Sequence, residues 1–427
     1  MWKTLKNRDF SIFVLSQTVS QFGDKLDYIA LIGIIGLFPR KASFLLSQLI
    51  IAITLPVIIF GPIAGVLIDR WHRKKVMVVC DSLRMLCALL IPLLLILTGN
   101  IYPVFIVVFF MFLLTLFFNT ARSSIIPNLV PREHILKANS LVNVVGRAAT
   151  FLGMLIGGLV VDWYMWPKLI GLAGWTVAFI LDAITFGVSA FMLYIMKVEL
   201  TEPPKREKHL EARGFLILVR NGLLKVWHEL KHALQMIPKK KDLGFAMSSI
   251  VLMIIGTCVI YVLVIPTIQQ DLGWGTSGVG ILAAAGAIGL LVGALLIGII
   301  GHHFDLKNLM LFCFLLIGSA LVLFPFLTHQ LLFAGVIFIA GLAISPIFIG
   351  QDTLIHQSAD ELVRGRMFSI RDWIYHCLIA IGSLFIGFLT TFVNKDAIFW
   401  VSGTMLTVLA VLGWFVLARG KVHKEYE

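Results

Sequence analysis

Charge is what this chain has least of. Only 14% of its 427 residues are Asp, Glu, Lys or Arg, roughly half the share of an ordinary soluble domain. The five cysteines (Cys80, Cys87, Cys258, Cys313, Cys377) form no CxxC and fall inside apolar runs. That argues against a disulfide framework or zinc cage and leaves inert, buried thiols. No Walker loop, Gly-rich phosphate cradle or nucleotide fingerprint stands where a strand–helix context would support it, which argues against an ATP-driven pump. The first apolar segment is too long for a cleaved signal peptide and lacks a small-residue cleavage site.

What is present is apolar. Hydrophobic residues make up 59% of the chain and the mean hydropathy is +0.96. A water-soluble globule cannot hide that much apolar surface, so a soluble enzyme, a nucleic-acid-binding domain and a disordered chain are all poor readings. A lipid-crossing helix takes about 20 mostly apolar residues. Twelve such segments are expected, at 10–38, 43–69, 76–98, 102–128, 134–162, 168–197, 243–269, 276–301, 308–327, 330–357, 362–393 and 395–418. Runs such as Ile101 to Phe118 do not alternate, so the spans are helices, not barrel strands.

Lysine and arginine set the orientation. With both termini cytoplasmic, 26 of the 35 fall at the N-terminus, the alternate loops and the C-terminus, counting the adjoining span ends. The other loops hold four (Arg40, Lys41, Lys168, Lys395), and five more (Lys25, Arg84, Arg122, Arg147, Arg371) lie within spans. Topology therefore accounts for the net charge of +12, with no nucleic acid partner.

Residues 198–242 interrupt the pattern with Pro203-Pro204 and a Lys/Arg/Glu-rich stretch. Leu216, Val219, Leu223, Val226, Leu230, Leu234 and Ile237 then recur at helical spacing, as in an amphipathic helix lying on the inner membrane surface. The expected organisation is an all-α membrane protein: a six-helix bundle at 1–197, a cytoplasmic linker at 198–242, and a second six-helix bundle at 243–427. The bundles share features. An offset of 229 residues sets Ser140 on Ser369, Gly153 on Gly382, Leu155 on Leu384 and Gly158 on Gly387. Parallel six-span repeats point to a substrate site near the midplane between the halves, with rocking as the transport motion.

After the second span stands Gly61-Pro62-Ile63-Ala64-Gly65-Val66-Leu67-Ile68-Asp69-Arg70-Trp71-His72-Arg73-Lys74-Lys75. This stretch resembles the signature loop of the major facilitator superfamily, G-x-L-x-D-R-x-x-R-K/R. Asn119-Thr120-Ala121-Arg122, the run from Ile126 to Ser140, and Arg364-Gly365-Arg366-Met367-Phe368-Ser369 extend the resemblance to the drug:proton antiporter branch, which includes macrolide-efflux proteins. The resemblance implies a monomeric, multi-pass protein of a bacterial cytoplasmic membrane, with no cofactor. It also implies that Gly61, Gly65, Asp69, Arg70, Arg73 and Lys74 act as a latch for one conformational state. The residues are suited to that: Asp69 can accept from a helix N-terminus, the cations can meet carboxylates or lipid phosphates, and Gly61 and Gly65 permit close packing. Two departures stand out. Gly153-Met154-Leu155-Ile156-Gly157-Gly158 lacks the proline usual on the fifth span of antiporters, and the second-half loop, Gly301 to Lys307, keeps little of the signature.

An ionisable residue at membrane depth is a functional candidate by default. On the first span Gln17, Gln21, Asp24 and Tyr28 form one polar stripe, with Lys25 and Asp27 alongside. Thr115, Asn119 and Arg122 form another on the fourth span, Asn139, Asn143 and Arg147 a third on the fifth, and Asp182 lies mid-way along the sixth. Asp24 is the expected proton carrier, ahead of Asp27 and Asp182, with Arg147 and Arg122 as its charge partners. The rival reading of Asp24 is a permanent structural ion pair. In the second half, Asp352, Arg366, Arg371, Asp372 and His376 lie near the cytoplasmic side, where gating is expected. The seventh and eighth spans are nearly uncharged, which suits an amphipathic substrate.

His228-Glu229-Leu230-Lys231-His232 spells the zinc-protease pattern H-E-x-x-H. It sits in the linker, has no convincing third ligand, and a helix on lipid offers no closed, dry cleft. No metal site is expected. The leading function is proton-coupled export of amphipathic small molecules by alternating access. Lysophospholipid translocation and siderophore export are alternatives on the same fold, and a membrane zinc protease through His228, Glu229 and His232 is the alternative from another class.

Overall fold

The computed structural model describes residues 7–68, 70–197, 224, 240–327, 329–358 and 361–425. The amphipathic linker stretch, the H-E-x-x-H pattern and Asp69 lie outside the described residues. Twelve long helices run through the rest: α1 (Arg8–Gly36), α2 (Ala42–Ile68), α3 (Arg73–Thr98), α4 (Tyr102–Leu129), α5 (Ile135–Asp162), α6 (Gly174–Ile195), α7 (Lys241–Val259), α8 (Gly275–Ile300), α9 (Leu306–Leu323), α10 (Gln330–Ser358), α11 (Glu361–Leu389) and α12 (Lys395–Glu425). Among the described residues there is no strand. In lipid every backbone N–H and C=O needs an internal partner, and a helix supplies all of them.

The helix ends are written in short-range chemistry. Asn7 caps α1, its side chain accepting from the Asp9 and Phe10 N–H groups at 3.0 and 3.4 Å, and Asp305 does the same for α9 through Lys307 and Asn308. Gly99 closes α3 in the left-handed region, φ +61°, where residues with a Cβ are strained. Two spans depart from expectation. The sixth begins at Gly174 because a short helix, Trp166–Ile170, stops at left-handed Gly171. The seventh loses its α-helical register after Val259, continuing as π-helical turns Ile260–Val264 and Thr267–Asp271 on either side of Pro266. Proline has no N–H to donate and its ring crowds the preceding turn, so the local ladder shifts.

Among the described residues, eleven candidate spans are long and apolar enough to cross a membrane. The helix that falls short is α1, because Asp24, Lys25 and Asp27 stand in its middle.

The chain divides into two compact units. One comprises Met1–Pro39, Leu49–Trp227 and Gly273–Gly280; the other comprises Arg40–Gln48, His228–Leu272 and Ile281–Glu427. Within the first, α1 packs on α5 and α6, and α3 packs on α4 and α6. Within the second, α7 packs on α11 and α12, and α9 packs on α10 and α12. Each pairing recurs six helices later. The glycines repeat it in detail. A Cβ added to Gly153 on α5 would lie 2.6 Å from the Phe22 carbonyl of α1, and one added to Gly382 on α11 would lie 2.9 Å from Cys258 Sγ of α7.

Candidate functional site

The first unit holds a polar core inside apolar walls. Arg84, in the middle of α3, is fully buried. Its guanidinium donates to Asp24 Oδ1 at 2.9 Å, to Ser20 Oγ at 3.0 Å and to Thr115 Oγ1 at 3.3 Å. It also pairs with Asp81 one turn away on its own helix, and Ser189 on α6 donates to the other Asp81 oxygen at 2.6 Å. Phe118 and Phe186 cover the guanidinium, 4.6 and 4.2 Å from its centre. One cation thus ties α1, α3, α4 and α6 together, with charge-assisted bonds in a low-dielectric setting.

Asp27 and Asp182 lie fully inside the same unit, 2% and 0% exposed. Asp182 Oδ1 accepts from Thr185 at 3.3 Å and stands directly against Gly23, one turn before Asp27; a Cβ at position 23 would collide with it. Asp27 Oδ1 and Asp182 Oδ2 are shut from solvent and have no hydrogen-bond partner. Four carboxylates therefore share this core with one guanidinium. Gln17 is buried nearby on α1 with both ends of its amide unpartnered.

Several expected members are placed elsewhere. The partner of Asp24 is Arg84, not Arg147 or Arg122. Arg147 is exposed on α5, Arg122 is half-buried on α4, and neither forms an ion pair among the described residues. Helical geometry explains this: α3 faces α6 and α4, so its mid-span side chains reach the α1 stripe from within the bundle. Asn119 and Asn143 are exposed and stand outside the cluster, whereas Gln21 lies against Gly146 of α5. Asp81 and Arg84 belong to no polar stripe at the spacings considered above. Their signal was an Asp and an Arg three residues apart in an apolar span.

The signature-loop residues do local work at one end of the unit. Arg73 donates to the Ser124 carbonyl at 2.9 Å and to Asn128 Oδ1 at 3.0 Å, on the last turns of α4. Lys74 donates to the Met196 carbonyl just past α6. Cations on helix C-terminal carbonyls are favourable contacts with the helix dipole. Arg70 is exposed. Gly61 and Gly65 are not closely approached: a Cβ at 61 would meet only Val57 of its own helix, and one at 65 nothing within 4 Å. Tight glycine contacts fall elsewhere, among them Gly153 of α5 against α1 and Gly23 of α1 against α6.

In the second unit Arg371 pairs with Asp352 and with Asp372, the latter at 2.8 Å, and lies over the Phe368 ring at 5.0 Å. His376 Nδ1–H donates to the Asp372 carbonyl at 2.7 Å. Arg366 falls within α11. This network is partly exposed, unlike that of Arg84.

The helix pairings of one unit recur in the other, and the first unit holds an ionic cluster midway along its apolar helices. A family model described as the Major Facilitator Superfamily matches residues 11–262 and 245–426. The chain belongs to this superfamily. Its members include macrolide efflux protein A of Streptococcus pyogenes, 23% identical over 373 residues, 84% of each chain, and the putative bacilysin exporter BacE of Bacillus subtilis, 26% identical over 388 residues, 90% of this chain and 89% of the other. The MFS-type transporter YkuC of Bacillus subtilis is 31% identical, but over 191 residues, 44% of this chain and 41% of its own length; the match to YfiS of the same organism covers 34% of that protein. Among solved structures, a bacterial homologue of the lysosomal transporter Spinster matches with TM-score 0.68 at 15% identity over 96% of both chains. The nucleoside transporter NupG matches with TM-score 0.68 at 11% identity, over 95% of this chain and 99% of that one. Superfamily members of this kind are multi-pass membrane transporters, not enzymes, so the H-E-x-x-H pattern loses its catalytic reading.

Proposed function

We propose that this superfamily member is a proton-coupled exporter of amphipathic small molecules in a bacterial cytoplasmic membrane, working by alternating access with both termini cytoplasmic. The observation that carries the proposal is the excess of enclosed carboxylates over cations in the first unit. Arg84 is committed to Asp24 and Asp81. Asp27 and Asp182 have no cation in hydrogen-bond reach, and each keeps a free oxygen. For such groups the protonation state is set by whatever else enters or leaves their surroundings, as coupling requires. Asp24 becomes the anchored end of the relay, and Asp27 with Asp182 the exchangeable one. The relatives named for macrolide efflux and bacilysin export support the outward direction. Helices α7 and α8 are free of Asp, Glu, Lys and Arg from residue 243 to 259 and from 275 to 300, which supports an amphipathic substrate.

The test is flux in reconstituted vesicles with a panel of macrolides and amphipathic cations. Asp27→Asn and Asp182→Asn should each remove accumulation driven by a pH gradient while leaving counterflow exchange, because a neutral amide imitates a protonated carboxyl. Undiminished pH-driven accumulation in both variants would overturn the proton assignment.

A further inference from the structure

The second unit contains a cavity of about 550 Å³ at the end remote from Lys241 and Ser358. Its walls come from the π-helical turn Thr267–Asp271, the segment after α9, the start of α10 and the link from α11 to α12. It shares no residue with the ionic cluster. That volume lies inside the range of about 300–1,000 Å³ typical of small-molecule sites, and the wall is divided by chemistry.

One side is aromatic. Phe324 stacks on Phe399, centroids 4.9 Å apart and planes 26° apart, and meets Phe333 edge to face at 5.0 Å. These rings are 1–3% exposed and packed on one another, so they form an apolar wall. The other side is a polar rim. Lys395 Nζ binds both oxygens of Asp271, at 2.8 and 3.1 Å, and that pair is neutral. Asp396, next in sequence and also on the rim, forms no ion pair among the described residues. Thr267 has a buried hydroxyl with no partner, on the turn where the helical ladder widens. Such π-turns gather at functional sites because they leave polar groups unspent.

We propose that this cavity binds an amphipathic monocation, its apolar body against the Phe324, Phe333 and Phe399 wall and its charged head at the Asp396 carboxylate. An apolar wall beside a lone carboxylate favours a weakly hydrated cation with an apolar body over an anion or a sugar. The site belongs to the second unit alone and does not rest on proton coupling.

Tetraphenylphosphonium is a suitable probe, with equilibrium binding measured on the purified full-length protein in detergent. Saturable binding is expected. Asp396→Asn should weaken it at least 10-fold, and Thr390→Trp, which fills the cavity from its rim, should abolish it. Lys395→Met should tighten it several-fold, because Asp271 is then freed as a second carboxylate; a purely structural role for the pair predicts no gain. Unliganded melting temperatures identify any variant that fails to fold, and the exposed Asp396 position keeps the test open if Thr390→Trp does so. Absence of saturable binding, or binding unchanged in both Asp396→Asn and Lys395→Met, would overturn the proposal.

Discussion

The two units use the same helix pairings but fill their centres with different chemistry. In the first, α1, α3 and α6 bring Asp24, Asp27, Asp81, Arg84 and Asp182 together. In the second, the corresponding α7, α9 and α12 carry no Asp, Glu, Lys or Arg between residues 243 and 259, 308 and 323, or 397 and 418. At the offset of 229, Asp24 falls on Met253 and Asp27 on Gly256. The second unit shows that this packing closes without a buried ionic cluster: Met253, Cys258, Phe314 and a buried Gln351–Ser249 hydrogen bond stand in its centre. Charge in the first unit is therefore not demanded by the architecture, and the cost of burying it is carried for another reason. On the proposed function, transport is that reason.

The sharpest way to break the comparison is to strip the one cation. Arg84→Leu leaves Asp81 enclosed and Asp24 half-buried, both without their cation, and should cost about 3–5 kcal/mol of stability. A thermal melt in detergent should show the loss, and the triple variant with Asp24→Asn and Asp81→Asn should recover most of it. Placing charge in the other unit tests the converse. Met253→Asp puts a carboxylate into an apolar bundle with no prepared guanidinium, and should destabilise by about 2.5–3.5 kcal/mol in the same assay.

How far this was legible beforehand differs between fold and site. The twelve spans and their loops follow from hydropathy and from Gly, Pro and Asn at the ends, since lipid leaves a backbone few options. The interrupted ends of the sixth and seventh spans were not legible, because they depend on Gly171 and Pro266 acting in a particular tertiary setting. Asp24, Asp27 and Asp182 could be picked out as charges at depth. Their partner could not, because the choice among Arg84, Arg122 and Arg147 depends on which way each helix is turned, and hydropathy along one span does not report its rotation against the next. The roles of Arg73 and Lys74 were hidden for a related reason: both bind backbone carbonyls, which leave no trace in side-chain spelling.

Smaller effects sharpen the repeat itself. Gly153→Val meets the fixed carbonyl of Phe22, whereas Gly382→Val meets the movable Cys258 side chain. Both should destabilise, the first by about 1–3 kcal/mol and the second by less, as read from paired melting curves. Smallest of all, Arg73→Gln should cost about 1 kcal/mol through lost bonds to the end of α4, with folding otherwise intact.

The central claim is that the buried charge of the first unit serves transport and not folding. Its most direct test is the protein in which Asp24→Met, Asp27→Leu, Asp81→Leu, Arg84→Leu and Asp182→Leu are combined, giving the first unit the apolar centre of the second. In vesicles containing equal amounts of folded protein, pH-gradient-driven flux of a transported substrate should be absent, with a melting temperature close to that of the parent. Driven flux at the parental rate, or a protein that no longer folds, would contradict the account.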